Sequence, residues 1–293
     1  MGITAFLYIL LSWYVSRNTP ETNDYLGAIE IKHRRLDAID KPKIIFAGGS
    51  NLAFGIDSKK IEEAIEVPVV NLGLHAALGL KFILAELENN VKSGDVVVLS
   101  PEYFLDPDGQ YEIKNLSKTL YPPAVNYYPR NIIEDIRAHL NRTRINLELL
   151  KSGKQNPLET VYSKKSFNTY GDVVAHLNIE LPTSLNNEIK MQYHYWEGIK
   201  LINDFHKKMN KRNVKVMYLY PVIASKEFEI NKEEIKLLNE DLIKDLNIKI
   251  LGNLEDFVYK DDYFFDTVYH LNKEGRMRRS IAIIKLLKKT LMN

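Results

Sequence analysis

The 293-residue chain contains no cysteine. That absence excludes a disulfide framework, a thiolate zinc site and a cysteine nucleophile. A dominant charge is missing too: 40 basic and 38 acidic residues leave a net charge of +2, too weak a field to argue for nucleic acid as a partner. No grouping of His, Asp and Glu has the spacing of a metal site, and neither G-x-G-x-x-G nor a P-loop lysine follows a strand. No internal repeat or low-complexity tract occurs.

What is present is a core. At 45% hydrophobic residues, the chain can bury the interior of one large domain carrying an insertion. Its N-terminus stands apart: "ITAFLYILLSWYVS", residues 3 to 16, is uncharged and ends near an interfacial-type pair, Trp13 and Tyr14. It is shorter than the ~20 residues that span a bilayer, and no A-x-A site follows it. An uncleaved or truncated signal anchor over residues 1–18 is the expectation, an amphipathic or buried N-terminal helix the alternative, with a linker or helix over 19–40 and the main domain over 41–293. Arg17, Lys32, Arg34 and Arg35 lie downstream, so the positive-inside rule favours a cytoplasmic body.

Within the main domain, short Val/Ile/Leu-rich runs alternate with stretches of helical period. Strands are expected at 43–48, 67–73, 95–100, 214–221 and 248–253. Helices are expected at 58–65, about 75–91, 193–211, 231–246 and 272–287. Such alternation indicates a parallel sheet covered on both faces, a three-layer α/β/α sandwich. Residues from about 105 to 190 break the rhythm and read as a mainly helical insertion over the functional edge of the sheet. Its Tyr121, Tyr127 and Tyr128 either line a sugar-binding cleft or pack a loop. His194, among Tyr193, Tyr195 and Trp196, reads as part of a helix face.

Ligands of an open parallel sheet bind at the carboxyl ends of its strands. The first strand ends in "KIIFAGGSNLAFGID" and so presents Ser50; the second is followed by Asn71, Gly73 and His75, and the third by Glu102. Before the last helix, "YFFDTVYHLNKEGR" supplies Asp266 and His270. A serine nucleophile needs a base, and the imidazole needs an acceptor on its other nitrogen. The structural alternatives are plain ones: Ser50 as a turn residue, His270 as a helix-entry residue and Asp266 as a cap.

These blocks, 43 to 57, 67 to 79 and 262 to 276, resemble the SGNH (GDSL-like) hydrolases, and in particular the cell-envelope O-acyl esterases and transferases among them. The resemblance implies a flavodoxin-like α/β/α fold with Ser50 as nucleophile, His270 as base and Asp266 beside it. The oxyanion hole would be formed by the N–H groups of Ser50 and Gly73, with Asn51, Asn71, His75 and Glu102 near the pocket. It further implies no cofactor, an acylated polysaccharide as substrate, and an extracytoplasmic position that conflicts with the positive-inside reading. Three departures stand out: Gly49 occupies the usual Asp position, Glu102 the usual Asn position, and the Asp266–His270 spacing is one residue longer than usual. The alternatives are a catalytically degenerate domain that binds glycan or a membrane-bound acyltransferase, and a thioesterase or lipase.

Overall fold

The computed structural model describes residues 2–18, 23–129, 131–152, 161–182, 184–185 and 190–291. Seven strands occur among them: β1 (Ile44–Gly48), β2 (Val69–Asn71), β3 (Val96–Ser100), β4 (Lys215–Leu219), β5 (Ile223–Ala224), β6 (Lys249–Leu251) and β7 (Val258–Tyr259). The main sheet has the order β2-β1-β3-β4-β6, and every pairing in it is parallel. β5 and β7 form a separate parallel pair. β1 is buried along its whole length, which is why its sequence is a continuous apolar run rather than an alternating one.

The helices are α1 (Gly2–Asn18), α2 (Ile29–Asp37), α3 (Ser50–Gly55), α4 (Ser58–Ile65), α5 (Leu80–Asn90), α6 (Tyr111–Leu120), α7 (Ile132–Ser152), α8 (Gly198–Lys211), α9 (Ser225–Ile230), α10 (Lys232–Asp245) and α11 (Lys273–Leu291). The crossover from β1 to β2 runs one way along the sheet and those from β2 to β3, β3 to β4 and β4 to β6 run the other way, while parallel crossovers keep one hand. They therefore put α4 on one face and α5 and α8 on the other; α11 packs on α3 and α4, and α5 on α8. This is the expected three-layer sandwich. The sheet changes direction between β1 and β3, so the crevice lies beyond their carboxyl ends, where Ser50 and Glu102 follow.

Two helices begin later than the sequence pattern suggests. The segment expected to be helical from 75 first makes a 3-10 turn (Ala76–Leu78), and Gly79 at φ 87° then redirects the chain before Leu80. Tyr193–Trp196 are not helical. The Tyr193 and Tyr195 hydroxyls instead bond Asp241 and Asp245 of α10 at 3.1 and 3.0 Å, and the Trp196 indole donates to Leu105 O at 2.9 Å.

Between β3 and β4 no strand of the main sheet occurs among the described residues, and the insertion includes the 21-residue α7. Tyr121 and Tyr127 stack on His33 of α2 at 4.9 and 5.9 Å, and Tyr128 lies 5.2 Å from Phe82 of α5. These tyrosines pack the insertion onto the domain, as in the loop-packing alternative, and none lines the cavity described below.

α1 lies on α7 through polar contacts: Tyr8 Oη to Thr143 Oγ1 at 3.0 Å and Ser12 Oγ to the same atom at 3.1 Å. Its Phe6, Leu7, Ile9, Leu10, Trp13 and Tyr14 are exposed. No helix among the described residues is long and apolar enough to cross a membrane.

Candidate active site

The turn after β1 is tight because two carboxyl oxygens occupy the space beside it. A Cβ at Gly49 would lie 2.3 Å from both Oε1 and Oε2 of Glu102, so only glycine fits there. Glu102 is buried; its Oε1 accepts the Asn51 N–H at 3.1 Å, while Oε2 has no partner among the described residues. Two of the three departures are therefore one: placing the carboxylate at 102 requires glycine at 49.

Ser50 opens α3, whose N-cap, Gly49, offers no side chain to the first-turn N–H groups. Phe54, four residues on and so on the same helix face, stacks on the His270 ring at 4.0 Å with an interplanar angle of 7°. The histidine thus lies against the face of α3 that carries the serine. Ser50, His75, Glu102, Tyr162, Met191 and His270 are among the residues lining one cavity of about 410 Å³. No hydrogen bond joins Ser50 Oγ to His270 among the described residues, an arrangement common where the bond tightens only with substrate bound.

The longer Asp266–His270 spacing is absorbed by a closed loop. Phe264 bridges Leu271 in antiparallel fashion, Phe265 N–H donates to His270 O at 2.7 Å, and His270 N–H donates to Thr267 Oγ1 at 3.2 Å. This folding returns Asp266 Oδ1 to 2.9 Å from His270 Nδ1. Tyr162, from the insertion, donates its hydroxyl to Asp266 Oδ2 and stands 3.2 Å from the same Nδ1. A proton on Nδ1 satisfies both acceptors and leaves Nε2 unprotonated, the tautomer a general base requires. Burial opposes ionisation of Asp266, but the hydrogen bonds from His270 and Tyr162 and the electrostatic pull of His270 hold its carboxyl below the usual range. Buried His176 steadies the loop by donating Nε2–H to Leu271 O at 3.0 Å; burial lowers its pKa to about 4, so it stays neutral.

The second expected oxyanion donor is already engaged. Asn71 is fully buried, its Nδ2 donating to Leu52 O at 3.0 Å and to Asp172 Oδ1 at 2.9 Å. That fixes its Oδ1 toward the Gly73 N–H, which it accepts at 2.9 Å. Gly73 is glycine because a Cβ would stand 2.4 Å from the Cβ of Leu52. Its N–H serves the turn, and neither Gly73 nor Asn71 lines the cavity.

Asn51 is also buried beneath the site: Nδ2 donates to Ser100 O at 2.9 Å, and Oδ1 accepts from Arg279 at 3.0 Å. Of the residues expected near the pocket, the structure brings His75 and Glu102 to it and turns Asn51 and Asn71 away. Tyr162, Met191 and Thr267 were not anticipated. Nothing in the local pattern around Tyr162 marks it, because 104 residues separate it from Asp266.

A larger cavity of about 480 Å³, sharing Val268, is lined by Leu181, Lys226, Asp261 and others, but it contains no nucleophile–base pair. Among the described residues no cluster of His, Asp and Glu is arranged to hold a metal ion.

The fold and the site define a doubly wound α/β protein with serine, histidine and aspartate gathered at the switch point of its sheet. No family model and no curated protein matches the sequence. Among solved structures the chain is similar to an acetyl xylan esterase (Est2A) from the rumen bacterium Butyrivibrio proteoclasticus. The identity is 11% and the TM-score 0.34 over 87% of this chain, and the match spans 65% of that protein's length.

Proposed function

We propose that the chain is a serine esterase or O-acyltransferase of SGNH type, acting on O-acyl groups, acetyl foremost, of a polysaccharide. The observation that carries this reading is the His270 ring: Asp266 and Tyr162 hold Nδ1, Phe54 holds the face, and Nε2 is left for the cavity that Ser50 lines. In the forward step Ser50 Oγ bonds to the carbonyl carbon while its proton passes to His270 Nε2, and the carbonyl electron pair moves onto oxygen. Collapse expels the sugar oxygen, which takes the proton from His270. Water or a second sugar hydroxyl then attacks the acyl-serine, with His270 again the base. The chemistry needs no cofactor.

A cavity of about 410 Å³ suits a short acyl group and part of one sugar better than a long lipid chain, which places the thioesterase or lipase reading second among enzymes. The engaged Gly73 N–H favours a different alternative, a degenerate domain that binds glycan or a membrane-bound acyltransferase. Turnover of 4-nitrophenyl acetate and labelling by a fluorophosphonate separate the two. Both signals are expected in the parent and absent in Ser50→Ala and His270→Ala; a folded parent with neither signal supports the binding protein instead.

We also propose that α1 rests in a membrane surface, its exposed Phe6, Leu7, Ile9, Leu10 and Trp13 at headgroup depth. The family resemblance favours the extracytoplasmic side. Flotation with liposomes should be lost in a Leu7→Glu/Leu10→Glu variant, and equal flotation of both proteins removes the idea.

A further inference from the structure

Acyl transfer builds a negative charge on the carbonyl oxygen, and a site without two donors aimed at that oxygen forfeits much of its rate. Most donors near Ser50 are committed elsewhere. Gly73 N–H belongs to Asn71, both hydrogens of Asn71 Nδ2 have acceptors, and the Tyr162 hydroxyl belongs to Asp266. Glu102 is a carboxylate that already accepts from Asn51 N–H. Thr267 has a hydroxyl whose oxygen accepts from two backbone N–H groups within the loop that carries the base, and its own O–H has no acceptor among the described residues.

His75 offers a ring N–H held outside the loop that carries the base. It caps a 3-10 turn, and its Nδ1 accepts the Ala77 N–H at 3.1 Å. A backbone N–H can only donate, so Nδ1 carries no proton and the neutral ring carries its proton on Nε2. Among the described residues that Nε2–H has no acceptor, and His75 lines the cavity with Ser50 and His270. Its ring is set edge-on against buried Tyr25, at 6.4 Å between centroids, and Tyr25 is itself tied to Leu74 O at 2.9 Å. Burial, and then the nearby His270, hold its pKa below the ordinary imidazole value, so the neutral donor form persists at neutral pH.

We infer that His75 Nε2–H is the side-chain donor of the oxyanion hole, in the place expected for Gly73, with the acyl oxygen of the substrate bound against it. The inference rests on the esterase reading of Ser50. Removing one such donor costs about 10²- to 10³-fold in kcat.

The test compares the full chain with His75→Ala and His75→Gln on 4-nitrophenyl acetate, each variant checked for an unchanged melting temperature. His75→Ala should lose about 10²-fold or more in kcat with KM little changed. His75→Gln, whose amide nitrogen reaches about as far as Nε2, should recover about tenfold of that loss. In parallel, ¹⁵N correlation spectra of the parent should show His75 protonated at Nε2, with that proton shifted downfield when a fluorophosphonate occupies Ser50. Full kcat in His75→Ala, while Ser50→Ala is dead, overturns the inference and leaves the esterase standing. A ring protonated at Nδ1 overturns it whatever the activity. Absence of any Ser50-dependent turnover removes both.

Discussion

Two loops flank Ser50, and they use their hydrogen bonds in opposite ways. The loop from Phe264 to Leu271 engages both backbone groups of His270 and its Nδ1, leaving the one atom that chemistry would use. The turn after β2 does the reverse: its Asn71 is rigidly held and takes up the Gly73 N–H. Both loops are largely buried and close to the serine. Proximity and family position therefore do not decide which groups can act; uncommitted valence does. The same criterion that keeps His270 in the proposed mechanism removes Gly73 from it and brings in His75.

The largest effect that would sharpen this contrast is expected at Asp266. Asp266→Asn keeps the shape but removes the anion that holds the Nδ1–H tautomer, and loss of such a partner costs on the order of 10⁴-fold in kcat. The pH–stability profile should change as well. The carboxyl is held below its unfolded value, so its contribution is present above the unfolded pKa and lost as pH falls through the folded one. The variant should consequently lose less stability between about pH 5 and pH 2. Tyr162→Phe removes one of the donors to the same carboxylate and should cost about tenfold in kcat, in proportion to one charge-assisted bond of ~1.5 kcal/mol. An unchanged kcat in both variants would show that the loop is merely structural.

Much of this was readable in the chain and some was not, for identifiable reasons. β1, β3 and β4 announced themselves because parallel strands buried on both faces are continuous apolar runs, and α4 (Ser58–Ile65) falls where its pattern put it. Ser50, His270 and Asp266 were readable as candidates because each follows a strand or precedes a helix at the carboxyl edge. The helix starts at Leu80 and Gly198 were missed because tertiary bonds, such as Tyr193 to Asp241, overrode the local period. Tyr162 reaches the cavity from the insertion and Met191 from just beyond it, and no spacing rule connects residues so far apart. The fate of the Gly73 N–H was the least legible of all. It depends on which way the Asn71 amide faces, and that is set by Asp172, 101 residues away.

Asn71 offers the sharpest test of the comparison, although the smallest effect on rate is expected there. In Asn71→Ala the Gly73 N–H loses its acceptor, and Leu52 O and Asp172 Oδ1 lose a donor. Buried polar groups left unpaired cost about 1–3 kcal/mol each. Asp172 retains Ser58 and Arg276, at 2.6 and 3.0 Å, so the penalty falls mainly on the other two groups. Urea unfolding should therefore show a loss of roughly 2–6 kcal/mol. If Gly73 N–H only holds the turn, kcat per folded molecule should stay within about threefold, since no group facing the cavity has changed. A rise in kcat would mean that the freed N–H now reaches the oxyanion, making Asn71 a brake on a latent donor. A fall of a hundredfold, in protein still folded, would mean that the turn positions the carbonyl after all and that the two loops are alike rather than opposite.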